Sequence, residues 1–443
     1  MKKFLIVLLS LGLIAAFGMT ASAADVKFSG SYYVVGFYDS NDLLQDTGKA
    51  YSRAAFYQRV RLQPVFQIAE GLTFTARIDA LERQWGNGSW SGSDVTSSRR
   101  QVTVNNPKTQ ENFEFERGYV TFATKIGQFS VGYQSTGKWG TDFGDSEATR
   151  SRILYITAAG PVTFLALYEK PYESDYVSGP QPATTNTPSG KADADDDFFA
   201  LAGIYGFPGG STGLLYYNLR YASPRPVSNY KIQLHVLAPY VKAQFGPVYV
   251  ESEVMYTFGK QKEFDTAGAG TDVDRSGWMA YLKVQSALGP ATIGAQVGWN
   301  QGDDGSDLTK NKNGYGGGGD WNPALILMNS DFATWKPGGN DTSNNDPKTN
   351  FLLYQVFGSY NPMPKLTVGA ALTFVQKDKS LKDEVSKKVG TEFDVTATYK
   401  LYDNLSYMVG AGYLWAGDYW KGTNSANQIG NDYMLMNKLT LSF

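Results

Sequence analysis

Residues 56–63, FYQRVRLQ, alternate apolar and polar side chains: Phe56, Val60 and Leu62 share one parity, and Tyr57, Arg59, Arg61 and Gln63 share the other. Successive strand side chains point to opposite faces, so such a segment must separate an oily compartment from a wet one. The pattern runs on in both directions, with Ala54, Phe56, Val60, Leu62, Phe66 and Ile68 opposing Arg53, Tyr57, Arg59, Arg61, Gln63 and Gln67. It then returns, Leu72, Phe74, Ala76, Ile78 and Ala80 opposing Thr73, Thr75, Arg77, Asp79 and Arg83. Both segments are long enough to cross a bilayer as tilted strands.

Energetics decide which face is wet. With the arginine face against lipid, Arg59, Arg61 and Arg77 would together cost on the order of 6–12 kcal/mol, at ~2–4 kcal/mol per midplane arginine. A net stability of ~5–15 kcal/mol does not absorb that comfortably. The opposite assignment places Phe, Val, Leu and Ile against acyl chains and leaves the arginines around an aqueous lumen. A secreted β-sandwich would explain FYQRVRLQ equally well, but does not predict the loop pattern described next.

Alternation recurs to the end of the chain, as in Trp278, Ala280, Leu282 and Val284 against Tyr281, Lys283 and Gln285, or Phe393, Val395, Ala397, Tyr399 and Leu401 against Glu392, Asp394, Thr396, Thr398 and Lys400. In the segment 405–415, Leu405, Tyr407, Val409, Ala411, Tyr413 and Trp415 oppose Ser406, Gly410 and Gly412, with small groups inward. Short connections near 68–71, 124–127, 159–161, 207–210, 245–247, 288–290, 361–365 and 402–404 read as tight turns. Between them lie longer polar stretches near 39–50, 84–112, 135–149, 171–196, 222–229, 260–276, 300–349, 377–390 and 416–431. One-sided loop lengths are what bacterial outer-membrane barrels show. The expectation is an all-β transmembrane antiparallel barrel of about 18 strands, 16 being the alternative, with short periplasmic turns and long extracellular loops.

The N-terminal MKKFLIVLLSLGLIAAFGMTASA reads as a secretory signal over 1–23, leaving 24–443 as a single barrel domain. Without Lys2 and Lys3 the 40 basic residues fall further below the 42 acidic ones, so nucleic-acid binding gains no support. The absence of cysteine excludes thiolate metal sites, iron–sulfur clusters, covalent haem attachment and internal disulfides, and no cofactor is expected. In the segment from Lys231 the apolar parity passes from Ile232, Leu234 and Val236 to Val241 and Ala243 beyond Pro239, which predicts a bulge there. The last stretch places Tyr433, Leu435, Leu439, Leu441 and Phe443 on one parity, ending inside a strand with an aromatic. That ending resembles the signal read by the outer-membrane barrel assembly machinery.

At RGYVTFATKIGQFSVGYQ, residues 117–134, the chain resembles the general porins of Gram-negative bacteria, which carry an Arg-x-Ala-Tyr-Val-x-Leu strand, a glycine turn and a strand ending Gly-Arg-Gln. Gly118, Phe122 and Tyr133 depart from that pattern, and eighteen strands exceed the sixteen usual for the family. The resemblance implies that the third outer loop, STGKWGTDFGDSEAT, folds into the lumen. Its Asp142-Phe143-Gly144 resembles the family's acid–Phe–Gly turn, which makes Asp142, Asp145 and Glu147 the constriction candidates. The matching basic ladder would be Arg59, Arg61, Arg77 and Arg117. Opposed charges at a narrowing create a transverse field that filters solutes by size and charge. The family also implies a homotrimer in contact with outer-membrane lipid and lipopolysaccharide.

Three other motifs are weaker. DADADDD at 191–197 spaces carboxylates like a calcium loop, but Phe198 occupies the glycine position and no glutamate closes it. GYGGGG at 314–319 lacks the Lys-Ser/Thr of a phosphate loop and reads as a flexible outer loop. WNPALILMNSDFATW at 321–335 is more apolar than an exposed loop should be; local self-packing, a short helix plugging the lumen, or a partner contact would each account for it. His235, the single histidine, has no nucleophile at a supporting spacing, so no enzyme activity is expected. The functional expectation is passive diffusion of small hydrophilic solutes and ions. The alternatives are a sheath around a partner such as a haem protein, or a substrate-specific channel with Tyr57 and Tyr281 as a sugar-stacking track.

Overall fold

A computed structural model describes residues 25–44, 52–85, 113–173, 193–335 and 348–443. The signal at 1–23 and parts of the loops near 39–50, 84–112, 171–196 and 300–349 therefore lie outside the described residues.

Eighteen long strands form one closed antiparallel barrel. In chain order they are β1 (Asp25–Asp39), β2 (Arg53–Ala69), β3 (Leu72–Gln84), β4 (Phe113–Thr124), β5 (Gly127–Ser135), β6 (Thr149–Ala159), β7 (Val162–Tyr172), β8 (Asp196–Phe207), β9 (Gly210–Tyr221), β10 (Tyr230–Phe245), β11 (Val248–Phe264), β12 (Val273–Leu288) and β13 (Ala291–Asn300). A two-residue bridge, β14 (Lys310–Asn311), lies parallel to β12 inside a loop. The wall resumes with β15 (Phe351–Met363), β16 (Leu366–Gln376), β17 (Lys388–Tyr402), β18 (Leu405–Ala416) and β19 (Asp432–Ser442). β19 pairs with β1 from Ser31↔Ser442 to Asp39↔Met434 and closes the cylinder. Phe443 completes the seam, its N–H donating to Gly30 O at 3.0 Å. Closure leaves no strand edge with unsatisfied backbone groups, the condition for a sheet in hydrocarbon.

All eight short connections fall between consecutive strands where the sequence places them. Gly160 and Gly246 take φ of 60° and 58°, which a two-residue hairpin demands at its first position and a side chain resists. The outward face is apolar along its length: Phe56, Leu62, Ile68, Phe74, Val131, Leu282, Val356, Leu372, Val409 and Leu435 are all exposed large hydrophobics. That face is the lipid-facing band. No helix among the described residues is long and apolar enough to cross a membrane.

β10 corrects one expectation. Its register with β9 runs unbroken from Ile232↔Tyr221 to Ala243↔Gly210, so there is no bulge at Pro239; the irregularity sits between Lys231 and Gln233, on the β11 side. Leu234, Val236, Ala238 and Tyr240 are buried on the inner face, while Pro239 and Val241 are exposed on the outer one. The apparent change of parity arises because an infolded loop makes part of the inner wall dry. His235 consequently faces outward, its Nδ1 hydrogen-bonded to Tyr216 Oη at 2.8 Å and its ring stacked on Phe258 at 5.1 Å. A second correction concerns β3, where Leu81 has φ 54° and the register slips between Val60↔Ala80 and Gln58↔Arg83. Past that bulge Glu82 and Gln84 join the inner face in place of Arg83.

Candidate functional site: the lumen constriction

The four ladder arginines project from three adjacent strands. Arg59 and Arg61 come from β2, Arg77 from β3 and Arg117 from β4, with Arg61 paired opposite Asp79 and Arg77 opposite Arg117. None stands as a bare cation. Arg61 holds Asp79 in a fork, Nη2 to Oδ2 at 2.7 Å and Nε to Oδ1 at 2.9 Å. Arg59 donates to Glu82 Oε1 at 3.4 Å and lies 5.0 Å over the Tyr33 ring. Bidentate and cation–π contacts fix guanidinium planes as well as charges.

Loop L3 (136–148) folds into the barrel. Glu147 reaches the ladder directly: its Oε1 accepts from Arg77 Nη1 at 2.8 Å and also pairs with Arg117 Nη2. It thus tethers the loop to the wall. Asp142, its side chain 59% exposed, pairs with Lys138 of the same loop at 3.1 Å. Asp145 is buried, and that burial pushes its carboxyl up to about 6, with Asp320 adding to the effect. The three acids are therefore separated in role: one on the arginines, one in water, one under cover.

Phe143 anchors the centre of L3. It is wholly buried, stacked on Tyr281 of β12 at 4.9 Å with planes 9° apart, and edge-on to Trp321 at 5.0 Å. Offset and edge-to-face pairs of this kind add ~0.5–1.5 kcal/mol each beyond area burial. Trp139 secures the first half of the loop, donating from Nε1 to Ala238 O at 3.0 Å and packing edge-on to Tyr240.

Loop L7, described over 301–335 and 348–350, also enters the lumen. It meets L3 through backbone: Gly318 N–H donates to Phe143 O at 2.7 Å and Asp320 N–H to Asp145 O at 3.2 Å. A Cβ on Gly318 would stand 2.0 Å from Asp145 O, so the glycine run at 314–319 is the close-approach face of L7 and not the flexible outer loop expected from sequence. The apolar stretch 321–335 ends in a helical turn, Ser330–Trp335, and packs both on itself, Asn329 Nδ2 donating to Ala324 O at 3.2 Å, and on the inner wall. Phe332 lies edge-on to Phe37 of β1 at 5.1 Å, Trp321 stacks on Phe351 of β15 at 5.7 Å, and Gln84 Nε2 donates to Trp335 O at 2.7 Å. Lys348 pins the start of the apolar stretch, its Nζ donating to Gly318 O at 2.8 Å and to Trp321 O. Burial brings that ammonium down to about 8.

Sequence reasoning missed the wall groups that receive these loops: Glu253 on β11, and Glu392 and Asp394 on β17. Their parity marks them as inward, but nothing in the strands says that loop backbone will meet them. The available signal was the apolar L7 stretch, which needs a wall to lie on. Tyr57 and Tyr281, expected as a sugar track, are instead covered, Tyr57 against Tyr33 and Tyr281 under Phe143. In the described part of the acidic run 191–197, Asp195 and Asp197 both pair with Lys170 and Asp197 also with Arg220, while Asp196 accepts the N–H groups of Ala222 and Ser223.

No protein-family model and no curated protein matches the sequence. Solved structures do match over nearly the whole chain. The outer membrane protein OpdK from Pseudomonas aeruginosa is 12% identical with a TM-score of 0.53, the alignment covering 94% of this chain and 99% of that one. OccAB1 of Acinetobacter baumannii gives 12% and 0.53, with 96% and 99% covered. A BenF-like porin from Pseudomonas fluorescens Pf-5 gives 13% and 0.52, with 95% and 99% covered. The fold is that of Gram-negative outer-membrane channels. At such identities the likeness concerns the barrel, and the residues at the narrowing have to be argued from their own geometry.

Proposed function

We propose that the chain forms a water-filled channel through the outer membrane of a Gram-negative bacterium, admitting small hydrophilic solutes and ions by passive diffusion. One observation carries the reading: a closed barrel, greasy outside, whose charged inner wall is narrowed from within by L3 and L7, with Arg59, Arg61, Arg117 and Glu147 at the narrowing and Arg77 buried among them. Large barrels of this strand number enclose an aqueous path unless plugged. Here the loops lean on β10–β12 and on β15–β19 with β1, and meet β3 and β4 through Gln84 and through the pairing of Glu147 with Arg77 and Arg117; the rest of the arginine wall of β2–β4 faces the aperture. The sheath alternative fits less well, because the chain's own loops occupy space that a lumenal partner would need.

The second reading, a channel with substrate preference, is favoured by the number of fixed charges at the narrowing and by the tight attachment of both loops. Export by the signal at 1–23, insertion through the Phe443 strand, a homotrimeric state and lipopolysaccharide contact belong to the same proposal. Planar-bilayer recording of the purified protein tests it: stepwise conductance is expected, and its absence at every salt concentration would end the channel reading. Competition of candidate solutes against single-channel current separates general from selective passage.

A further inference from the structure

Three neighbouring strands, β6–β8, are largely apolar on both faces over the half nearer the short turns. Their outward residues meet lipid, with Ile153, Phe164 and Leu201 all exposed. The opposite parity faces the lumen, and there it carries Leu154 and Ile156 of β6, Leu165 and Leu167 of β7, and Ala202 and Ile204 of β8. The register sets them side by side: Leu154 stands opposite Leu167, Ile156 opposite Leu165, and Leu165 opposite Ala202. All six are half-buried. Among the described residues, none of the six belongs to the core that the infolded loops form with the wall or to the side chains packed against it. The strip has definite sides: Ser130 and Gln128 of β5 face Leu154 and Ile156, and Ile204 faces Gly213 of β9.

Lipid accounts for the outward residues, and loop packing accounts for Leu234 and Val236, which do belong to that core. Neither accounts for this strip. Aliphatic surface facing a wet lumen costs free energy in proportion to its area, and a solute that brings hydrocarbon of its own recovers that cost.

The outer edge of the strip supplies charge. Arg150 and Arg152 of β6 share one carboxylate, Glu169 of β7, at 2.5 and 3.0 Å. Two cations on one anion leave a positive charge over, and Arg152 Nε and Nη1 are buried without an acceptor. The Arg150 guanidinium reaches across β7 to lie 5.1 Å over the Phe198 ring of β8. Its side chain stays 33% exposed, next to the row that Leu167 begins.

We propose that β6–β8 form a lumenal subsite for amphiphilic anions: the head meets Arg150, and a hydrocarbon tail lies along Leu167, Leu165, Ile156 and Ile204. Binding strengthens by up to about fourfold for each methylene taken out of water, and the gain ends where the tail outgrows the strip. The inference rests on the channel reading and names a solute class for it. Full-length protein is recorded in planar bilayers at neutral pH and fixed salt with n-alkanesulfonates from methanesulfonate to octanesulfonate, which keep one anionic head while the tail grows. The expected result is current interruptions that lengthen with the tail. In a Leu165→Thr/Leu167→Thr variant that dependence should flatten, with methanesulfonate acting as in the parent protein. Alkylammonium ions of the same lengths should interrupt the current less. Interruptions independent of tail length, the same dependence in the variant, or equal block by alkylammonium ions overturn the proposal.

A second readout needs no conductance. The chain contains no cysteine, so a Leu165→Cys substitution places a single thiol on the strip. In reconstituted vesicles a membrane-impermeant thiol reagent should modify it from the lumen, severalfold more slowly with octanesulfonate present and at an unchanged rate with methanesulfonate. Heat-modifiable migration on unboiled gels verifies that each variant is a folded barrel. A folded variant that does not label would mean that the chain itself covers the strip, and equal rates with both sulfonates would mean that no tail binds there; either result overturns the proposal. Absence of any conductance step sinks the channel reading, while the labelling comparison still decides whether the strip takes a tail.

Discussion

Phe143 of L3 lies flat on Tyr281 of β12, ring centroids 4.9 Å apart, and turns its edge to Trp321 of L7. One residue therefore joins the wall to both loops that narrow the lumen. Phe143→Ala should remove that joint at a cost of ~3–5 kcal/mol, as for a large aromatic lost from a packed site. The barrel itself, held by strand pairing, should persist. Single-channel recording should show larger and noisier steps than the parent protein; identical steps would mean that L3 keeps its place without the ring.

Glu147 neutralises Arg77 and Arg117 at the aperture. Glu147→Gln should remove one negative charge from beside Arg117 and Arg77, the latter keeping Asp79 at 3.4 Å, and move the zero-current potential under a salt gradient toward anion preference. Arg59→Ala should move it toward cations, because a fixed positive charge beside Glu82 is removed. Shifts of the same sign from both substitutions would refute the assignment of these residues to one aperture.

Asp145 carries a different pH signature. Burial lifts its carboxyl from the ordinary 3.8 to about 6, so the native loop binds that proton more tightly than the unfolded chain does. Stability contributed by the protonated form is complete below the ordinary value and is lost as pH rises through about 6. Asp145→Asn should accordingly tighten L3 at neutral pH, seen as quieter current and a flat response around pH 6. A noisier channel would contradict the sign.

Gly318 sits where L7 crosses L3. Gly318→Val should force the two backbones apart, since even its Cβ has no room beside Asp145 O. At Gly319 an added methyl would meet nothing nearer than Ser146 Oγ at 3.5 Å, so alanine there should cause little change. Limited proteolysis from the outer side should cut L7 faster in the first variant and at the parental rate in the second. Equal rates would show that the crossing is not what orders L7.

Much of the barrel was legible in the chain because a strand's two-residue period is local: FYQRVRLQ reports its two faces without reference to any other segment. Turn chemistry is local too, so the eight short connections and the loop-rich end could be placed by reading alone. What local pattern could not convey is that part of the inner wall is dry. Leu234 and Val236 look like lipid-facing residues and are buried inside, while His235 looks lumenal and faces out. The error at Pro239 has that origin.

The constriction divides in the same way. Arg59, Arg61, Arg77, Arg117 and Glu147 were identifiable as lumenal by parity and loop position, and amino-acid order alone determined a cylinder with water inside. Only the tertiary structure decided that Glu147 sits on the arginines, that Asp145 is covered, and that Glu253, Glu392 and Asp394 receive loop amides. Those pairings join residues more than a hundred positions apart in the case of Glu253 and Thr141, and more than sixty for Glu392 and Leu327. They exist because barrel closure brings distant strands around one lumen, and an apolar loop finds its dry surface there.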